Sequence, residues 1–326
     1  MHVLITGMAG FAGRHLADHL LLHTAATVVG VTRTRRLPES EPRMTWRQAD
    51  MVDGVAIAEV IASEQPDAIV HLAAQASVAA AWSDPWQTYE QNVHGQQNIF
   101  DAVLQLRQRP RMLIISSTEV YGALAPHDLP AREAHPLQPN NPYAVSKAVQ
   151  DLMARQYVMS HGVDVVVARP FNHIGPRQRM TFVVPSLVQR LAEMEAGLIA
   201  HEMYLGNMEA QRDFTDVRDI VAAYAALLEH GRAGEVYNVC SGTPRSIQSV
   251  LDLLVGMSSV KPQQISDPAR FRQIDTPVMY GDASRLFEAT GWKPQIPFER
   301  TLADMLLEAR ARVARSSGGA ASLMKT

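Results

Sequence analysis

The sequence predicts an α/β fold, with a doubly wound parallel sheet and a smaller C-terminal lobe, on three observations. The chain has 326 residues, more than one typical domain holds. Hydrophobic residues make up 47% of the chain and charged residues 19%, so it can bury a sizeable core. Short apolar runs alternate with segments of helical period, which is typical of βαβ units whose strands are buried on both faces.

The short apolar runs are the predicted strands. They are Val3 to Thr6, Thr27 to Thr32, Ala68 to Leu72, Met112 to Ser116, Val163 to Arg169 and, later in the chain, Glu235 to Val239. Two long helices are predicted between them, from Trp86 to Arg107 and from Pro142 to His161. Proline in the first turn and Gly162 after the last turn favour the bounds of the second helix.

After Pro170 the regular alternation of apolar runs and helical segments gives way to short mixed segments, and this change predicts how the chain divides into domains. Residues 1–172 are expected to form the first domain, and residues 173–315 mainly the second lobe. Residues 215–240 are expected to return to the first sheet as a helix and a strand. Residues 316–326 are small and mostly polar, and a mobile tail is predicted there.

Composition excludes several classes of function. The net charge of -3 is too balanced for a protein that binds nucleic acid through its phosphates. No apolar stretch reaches the roughly 18 residues that a membrane helix needs, so no membrane partner is expected. Cys240 is the one cysteine and cannot form an intrachain disulfide. Together with a start that does not resemble a leader, this favours the cytoplasm.

A glycine-rich loop, Gly7 to Gly13, joins the first strand to the first helix. Glycine in such a loop allows backbone N–H groups and a helix N-terminus to approach a pyrophosphate. The loop therefore predicts a Rossmann-type dinucleotide site, although an ordinary strand–helix turn also favours glycine. The predicted cofactor contacts are Gly7, Gly10, Phe11, Ala12 and Gly13.

The residues after the second strand predict which dinucleotide binds. An acid at this position would accept the ribose hydroxyls, but the chain has Thr32-Arg33-Thr34-Arg35-Arg36. Because a guanidinium pairs well with a 2′-phosphate, we expect NADP(H) rather than NAD(H), with Arg33 as the leading contact. NAD(H) stays open as a second cofactor, and a solvated basic loop is the alternative.

Tyr143 and Lys147 lie four residues apart on a predicted helix, so both side chains can reach one ligand. A phenol with a pKa of about 10 needs nearby positive charge to exchange protons at neutral pH. The pair suits interconversion of a ketone and an alcohol, although chance also produces this spacing in many helices. The stretch from Ile115 to Gly122 follows a buried strand at the sheet edge that binds ligands, and a serine or threonine hydroxyl there can contact the reacting oxygen.

In this order and spacing, the glycine loop, the strand-end hydroxyls and the Tyr-x-x-x-Lys pair resemble the extended short-chain dehydrogenase/reductases that act on nucleotide sugars. The resemblance covers nearly the full chain. It implies that Ser117 is the catalytic hydroxyl, Tyr143 the general acid/base and Lys147 its electrostatic partner. It also implies that Asn92 steadies the active-site backbone. Further expected cofactor contacts are Asp50, Met51, Leu72, Ala73, Ala74, Phe171, and Tyr143 and Lys147 themselves.

The stretch from Leu205 to Asp219 is similar to enzymes of GDP-mannose metabolism within this family. The similarity implies a GDP-sugar substrate, whose diphosphate two or three guanidiniums would bind. The expected substrate contacts are Asn172, Arg190, Gly206, Asn207, Arg212 and Arg272.

The resemblance implies reduction of the 4-keto group of GDP-4-dehydro-6-deoxy-D-mannose to give GDP-D-rhamnose. Glu119 keeps a second activity open, because the 4,6-dehydratases of the family use a glutamate at the matching position to remove the C5 proton. Another nucleotide-sugar 4-reductase or epimerase is a further alternative. A non-catalytic NADP-sensing protein is the alternative from outside the enzymes.

Two last expectations concern assembly and metals. The two long helices resemble the pair that forms a dimer interface in the family, so a homodimer is expected, with a tetramer as the alternative.

His15, His19 and His23 have a spacing that could hold a metal ion, but we assign no metal site and expect these side chains to face solvent.

Overall fold

The computed structural model describes residues 1–34, 42–270 and 276–323, with the backbone alone from 317 to 323. Its strands are β1 (His2–Thr6), β2 (Thr27–Thr32), β3 (Met44–Gln48), β4 (Ala68–His71), β5 (Arg111–Ile115), β6 (Val165–Pro170), β7 (Asn172–Ile174), β8 (Glu202–Leu205), β9 (Gln211–Asp216), β10 (Val236–Val239), β11 (Pro244–Ser246), β12 (Gln263–Ser266) and β13 (Val278–Met279).

The α-helices connect these strands along the chain. They are α1 (Phe11–His23), α2 (Gly54–Glu64), α3 (Val78–Ser83), α4 (Pro85–Tyr89), α5 (Gly95–Leu104), α6 (Pro142–His161), α7 (Val183–Glu195), α8 (Val217–His230), α9 (Ile247–Gly256), α10 (Ser284–Thr290) and α11 (Phe298–Leu323). A π-helical segment, Glu90–His94, joins α4 to α5.

A seven-stranded parallel sheet forms the centre of the molecule, in the order β10-β6-β5-β4-β1-β2-β3. The order reverses between β1 and β4, which is the switch point of a doubly wound sheet. The predicted α/β class and parallel sheet are therefore confirmed. The carboxyl ends of β1, β4 and β5 lie side by side at this point, where ligands bind in such sheets.

Both faces of the sheet are covered by buried apolar side chains. On β5, Leu113 and Ile115 pack into the cluster that includes α1 and α8, whereas Met112 and Ile114 pack into the cluster that includes α2, α5 and α6. This alternation follows from the two-residue period of a strand. It explains why the strands are continuous apolar runs in the sequence.

The second lobe contains a four-stranded sheet of β7, β9, β11 and β13, together with the β8–β12 pair. Its core lies between α7, α9 and α11 and includes Leu191, Leu251 and Leu306. Strand β10, residues 236–239, joins the first sheet beside β6. The domain limits at 172 and 315 stay predictions.

Some elements differ from the expectation. β3 and α2 were not predicted, and the helix expected from Trp86 to Arg107 is divided into α4, the π-helical segment and α5. The backbone of the last helix is helical through Leu323, so part of the tail predicted to be mobile is helical. Across the described ranges, no helix combines the length and apolar character needed to cross a membrane.

Candidate active site and cofactor cleft

The glycine loop is shaped by close contacts with the protein's own backbone. Gly7 has a φ of +70°, and a Cβ there would lie 2.8 Å from the Ala73 nitrogen. A Cβ on Gly13 would lie 2.5 Å from the Gly7 carbonyl oxygen. The protein's own backbone therefore requires glycine at both positions. This requirement adds to the close approach to a phosphate, which was the reason inferred from the sequence.

The N-terminus of α1 offers backbone donors at the carboxyl edge of the sheet. Gly10 is the residue before the helix, and no side chain caps the first turn, which begins with Phe11, Ala12 and Gly13. Free N–H groups in a first turn, together with the helix dipole, bind anions such as a pyrophosphate. This loop and first turn therefore fit a dinucleotide.

The other predicted cofactor contacts lie at the ends of neighbouring strands. Leu72, Ala73 and Ala74 follow β4 and are partly exposed, and the Ala73 N–H donates to Thr6 Oγ1 at 3.2 Å. Asp50 and Met51 follow β3. Met51 is buried, and its carbonyl oxygen accepts a hydrogen bond from Asn98 Nδ2 at 2.8 Å.

Arg33 lies directly after β2 with an exposed side chain, where it is free to meet a ligand phosphate. Arg35 and Arg36 lie outside the described residues. The described residues at this strand end, Thr32, Arg33 and Thr34, include a cation and no carboxylate, which suits a 2′-phosphate better than a ribose diol.

Tyr143 and Ser117 come together where β5 and the start of α6 meet. Asn141 caps α6 by accepting from the Ala144 N–H at 2.8 Å, and this places Tyr143 in the first turn. Burial raises the pKa of Tyr143 to about 12, and the contact with the Ser117 hydroxyl acts against that rise. Tyr143 is therefore protonated at neutral pH and can donate a proton to a bound oxygen.

Lys147 is buried one helical turn after Tyr143, with 4% of its surface exposed. Its ammonium group donates to the Ile115 carbonyl oxygen at 2.8 Å, at the end of β5. Burial lowers the pKa of Lys147 to about 8, and the charge of Asp151 opposes this decrease. A lysine with such a pKa is mainly protonated at pH 7 and loses its charge in mildly alkaline solution.

Glu119 lies beside the same phenol. Its carboxylate accepts a hydrogen bond from Asn141 Nδ2 at 3.1 Å, and its charge contributes to the raised pKa of Tyr143. Ser117 Oγ accepts from the Glu119 N–H at 3.2 Å. The structure therefore brings together Ser117, Glu119 and Tyr143, three of the four residues that the sequence selected as catalytic.

Asn92 lies in the π-helical segment and is fully buried. It accepts from the Gln75 N–H at 2.7 Å and donates to Ser146 Oγ at 2.8 Å. Ser146 in turn donates to the Tyr143 carbonyl oxygen at 2.7 Å. Asn92 thus connects the segment after β4 with the first turn of α6, and π-helical segments frequently occur at functional sites.

His71, the last residue of β4, belongs to a second buried network that the sequence did not reveal. Its ring nitrogens lie 2.8 Å from Thr6 Oγ1 and 3.3 Å from Gln150 Nε2. Burial, with a smaller contribution from Lys147, lowers the pKa of His71 to about 3. His71 is therefore neutral at physiological pH and joins the end of β1 to α6.

A third group of buried residues was also missed. Arg169 on β6 donates from Nε to Asp151 Oδ2 at 2.6 Å, and its Nη2 forms an ion pair with the same oxygen at 2.6 Å. Arg169 also donates to Tyr121, which donates to Asn238 on β10. The spacing of Asp151 four residues after Lys147 indicates only that these two side chains share a helix face, and it does not reveal the pairing of Asp151 with Arg169.

The predicted substrate contacts on the second lobe are partly or fully exposed. Asn172 begins β7 and is exposed, and Gly206 and Asn207 follow β8. Arg212 on β9 donates to the carbonyl oxygens of Gln211 at 2.8 Å and Thr276 at 2.6 Å. Arg272 lies outside the described residues.

Arg190 has surroundings that suit a diphosphate less well than the sequence suggested. It donates to the Glu202 carbonyl oxygen at 3.1 Å and faces a cavity of about 290 Å³. The cavity is also lined by Glu193, Ile199, Ala200, Glu202 and Tyr204. Because Glu193 and Glu202 line the same cavity, it is less favourable to a diphosphate than a cavity lined by cations alone, and the role of Arg190 stays a prediction.

Aromatic contacts connect the glycine loop to the second lobe. The ring of Phe11 stacks on His173 of β7 with centroids 5.9 Å apart and contacts His15 edge-on at 5.4 Å. His15 is buried, with Nε2 3.0 Å from the Pro176 carbonyl oxygen, so the expectation that it faces solvent was wrong. The Phe171 ring is buried in one cluster with Cys240. Its N–H donates to the Val239 carbonyl oxygen and its own carbonyl oxygen lies 3.1 Å from His173 Nδ1, so the cofactor contact expected of Phe171 stays a prediction.

Comparisons with known proteins agree with this architecture. A family model described as GDP-mannose 4,6 dehydratase matches residues 4–305. GDP-6-deoxy-D-mannose reductase from Pseudomonas aeruginosa is 36% identical over 95% of this chain and 98% of its own length. A dTDP-glucose 4,6-dehydratase from Actinoplanes sp. is 32% identical over 95% of this chain and 98% of its own length.

A solved structure gives the same result in three dimensions. RMD from Pseudomonas aeruginosa complexed with NADPH matches with a TM-score of 0.86 and 36% identity, over 95% of this chain and 99% of that chain. The likeness therefore extends over both the sheet and the second lobe.

Proposed function

Because this chain belongs to the GDP-mannose 4,6-dehydratase family, we propose that it is an oxidoreductase that uses NADPH to reduce GDP-4-dehydro-6-deoxy-D-mannose to GDP-D-rhamnose. The observation that carries the proposal is the contact of Ser117 with Tyr143 at the sheet edge next to the glycine loop. The similarity to the Pseudomonas reductase and to RMD with NADPH supports this choice of substrate and cofactor.

In the proposed reaction, Tyr143 donates its proton to the oxygen on C4 of the sugar, and Ser117 orients that oxygen by a hydrogen bond. NADPH, when bound, supplies the hydride that C4 receives. Lys147 places a positive charge near the phenol, which stabilises the phenolate left after proton transfer. Asn92 and Ser146 hold the backbone of the first turn of α6, so the phenol keeps its direction.

The cofactor would be held by the first turn of α1, by the segments after β3 and β4, and by Arg33. The GDP moiety would be held by Arg212 and the Gly206–Asn207 turn, with Asn172 near the sugar. Arg190 and Arg272 complete the proposed diphosphate contacts. NAD(H) is proposed as a second, weaker cofactor.

The proposal is tested by incubating the purified protein with GDP-4-dehydro-6-deoxy-D-mannose and NADPH. We expect one NADPH to be oxidised for each sugar reduced, with NMR of the product giving the configuration at C4. If the protein instead converts GDP-mannose to the keto sugar with no net change of cofactor, it is a 4,6-dehydratase. Glu119 favours that second candidate, since its carboxylate lies beside Tyr143 and could accept a C5 proton.

A homodimer is part of the proposal. Leu152 and Met159 lie on one face of α6 and are 58% and 75% exposed, and Trp86 on α4 is 78% exposed. Covering these apolar side chains with a second copy would remove them from water. Light scattering should give twice the chain mass, and Leu152→Glu with Met159→Glu should give a monomer. Leu22→Glu on α1, at 78% exposure, is the control.

A cytoplasmic location is also proposed. The buried free thiol of Cys240 and a nucleotide-sugar substrate are typical of that compartment. Cell fractionation with an antibody against the chain tests it, and recovery in an extracytoplasmic fraction would contradict it.

A further inference from the structure

The buried ion pair between Asp151 and Arg169 is unusual because nothing in the proposed reaction uses it directly. Both residues have 5% of their surface exposed. Burying two charges is costly, and an ion pair inside a protein often adds little stability relative to apolar residues of similar size. A pair kept at this place therefore calls for a further explanation.

The position of Asp151 on α6 explains why the ion pair lies here. Asp151 and Lys147 lie at i+4 and i on α6, on one buried face, and side chains with this spacing are neighbours. The Lys147 ammonium group is fixed by its bond to the Ile115 carbonyl oxygen, which is neutral. Asp151 is thus the group that can supply negative charge from the same helix.

The other ionisable groups around Lys147 supply it with little negative charge. The Glu119 carboxylate follows β5 and lies beside Tyr143, where it accepts from Asn141 Nδ2 at 3.1 Å. Tyr143 precedes Lys147 on α6 and is protonated because burial raises its pKa to about 12. His71 on β4 is neutral because burial lowers its pKa to about 3. Arg169 on β6 is a cation that Asp151 neutralises through two contacts to one oxygen.

We infer that Asp151, held in place by Arg169, is a positioning residue that keeps Lys147 protonated in the working pH range. Arg169 fixes the carboxylate, and the Tyr121–Asn238 contacts fix Arg169 from the side of β10. Burial raises the pKa of the Asp151 carboxyl, and Arg169, Ser116 and Lys147 all act against that rise. The use of a charged Lys147 in catalysis rests on the proposed function, but its charge state can be measured without substrate.

The chain is well suited to a direct measurement, because it has four lysines, Lys147, Lys261, Lys293 and Lys325. Protein labelled with ¹³C and ¹⁵N at lysine is titrated by NMR from pH 6 to 11, and Lys147→Arg assigns the Lys147 signal. The wild-type lysine should titrate near pH 8. In Asp151→Asn the pKa of Lys147 should be about one pH unit lower than in wild type, because the opposite charge is lost.

Two further variants make the test decisive. Asp151→Asn leaves Arg169 buried without its anion and could fail to fold, so Asp151→Asn with Arg169→Gln removes both charges and keeps a polar pair. Lys147 should titrate lower than wild type in this double variant, though less so than in the single one. Glu133→Gln is the matched control, since Glu133 is in the same network but accepts from the Asn238 N–H, away from Lys147.

The measurement separates this inference from the proposed function. A Lys147 signal at the wild-type pH in the folded double variant would overturn the inference, even if the protein reduces the keto sugar. A lowered signal in Asp151 variants with the wild-type value in Glu133→Gln would support it, even if another sugar were the substrate.

Discussion

The carboxyl edge of the seven-stranded sheet and the second lobe hold their polar residues in different ways. At the sheet edge, Ser117, Lys147 and Asn92 are at most 8% exposed and are bonded to other protein groups. On the second lobe, Asn172 is exposed, and Arg212 is partly exposed and donates to the backbone oxygens of Gln211 and Thr276. Groups that are fixed before the ligand arrives can act on the chemical step, whereas exposed groups exchange water for ligand and set affinity.

The largest effect on turnover is expected from Tyr143, at the sheet edge. Tyr143→Phe should lower kcat by roughly 10³-fold, because the proton donor is lost while the ring remains. NADPH binding, measured by fluorescence, should be unchanged. Tyr157→Phe, on the same helix but bonded to Gln97 and Asp101, is the control. Full turnover by Tyr143→Phe would show that the sheet edge has another acid, and loss of NADPH binding would make the residue structural.

Arg212→Gln tests the other half of the comparison. Loss of one charge-assisted contact should raise the KM for the GDP-sugar roughly 10- to 100-fold, with kcat changed little. Steady-state kinetics at saturating NADPH measure both constants. Arg190→Gln is the informative companion, since its acidic neighbours predict a much smaller change in KM. A decrease in kcat for Arg212→Gln would place the arginine in the chemical step and break the comparison.

His71 makes the sheet edge sensitive to acid. Its pKa is about 3 when folded, against the ordinary 6.5 when unfolded, so the unfolded chain takes up a proton first as pH falls below 6.5. From pH 7 to pH 5 the free energy of unfolding should fall by about 2 kcal/mol through this residue. Urea unfolding at both pH values should show that difference in wild type and in the exposed control His23→Gln. If His71→Gln showed the same difference in the free energy of unfolding between pH 7 and pH 5, His71 would be excluded as the cause.

Arg33 sharpens the comparison with the smallest effect, since it is an exposed residue on the first sheet. Arg33→Ala should raise the KM for NADPH roughly tenfold and leave the KM for NADH nearly unchanged, because only NADPH carries the 2′-phosphate. Kinetics with each cofactor at a fixed concentration of sugar measure the ratio. Equal increases for both cofactors would mean that Arg33 contacts the shared part of the dinucleotide, or that the loop itself has changed.

The sequence predicts the fold well where burial alone sets the pattern. β1, β2, β4, β5 and β6 are buried on both faces, so each is an apolar run. β3 was missed because it lies at the sheet edge, and its alternate residues, such as Thr45 and Arg47, are exposed. The π-helical segment was missed because one extra residue in a turn has no signature in composition.

Contacts between distant parts of the chain explain what the sequence did not reveal at the site. His15 has helix-surface spacing, but it is buried by Pro176, which lies 161 residues away. Arg169 reads as the end of an apolar strand, and only the packing of β6 against α6 shows its pairing with Asp151. Tyr143, Lys147 and Ser117 were selected because their types and spacing match a known chemistry, and their catalytic roles stay predictions.

Phe171 is the one residue between β6 of the large sheet and β7 of the small sheet, and its N–H donates to the Val239 carbonyl oxygen at 2.9 Å. Because this connection is a single residue, it fixes which face of β7 each side chain occupies. Inserting a single residue would turn Asn172 to the opposite face of β7 and reverse every later side chain of that strand. Chimeras that exchange the second lobe between relatives must therefore preserve the count at this joint, whatever sequence they place on either side.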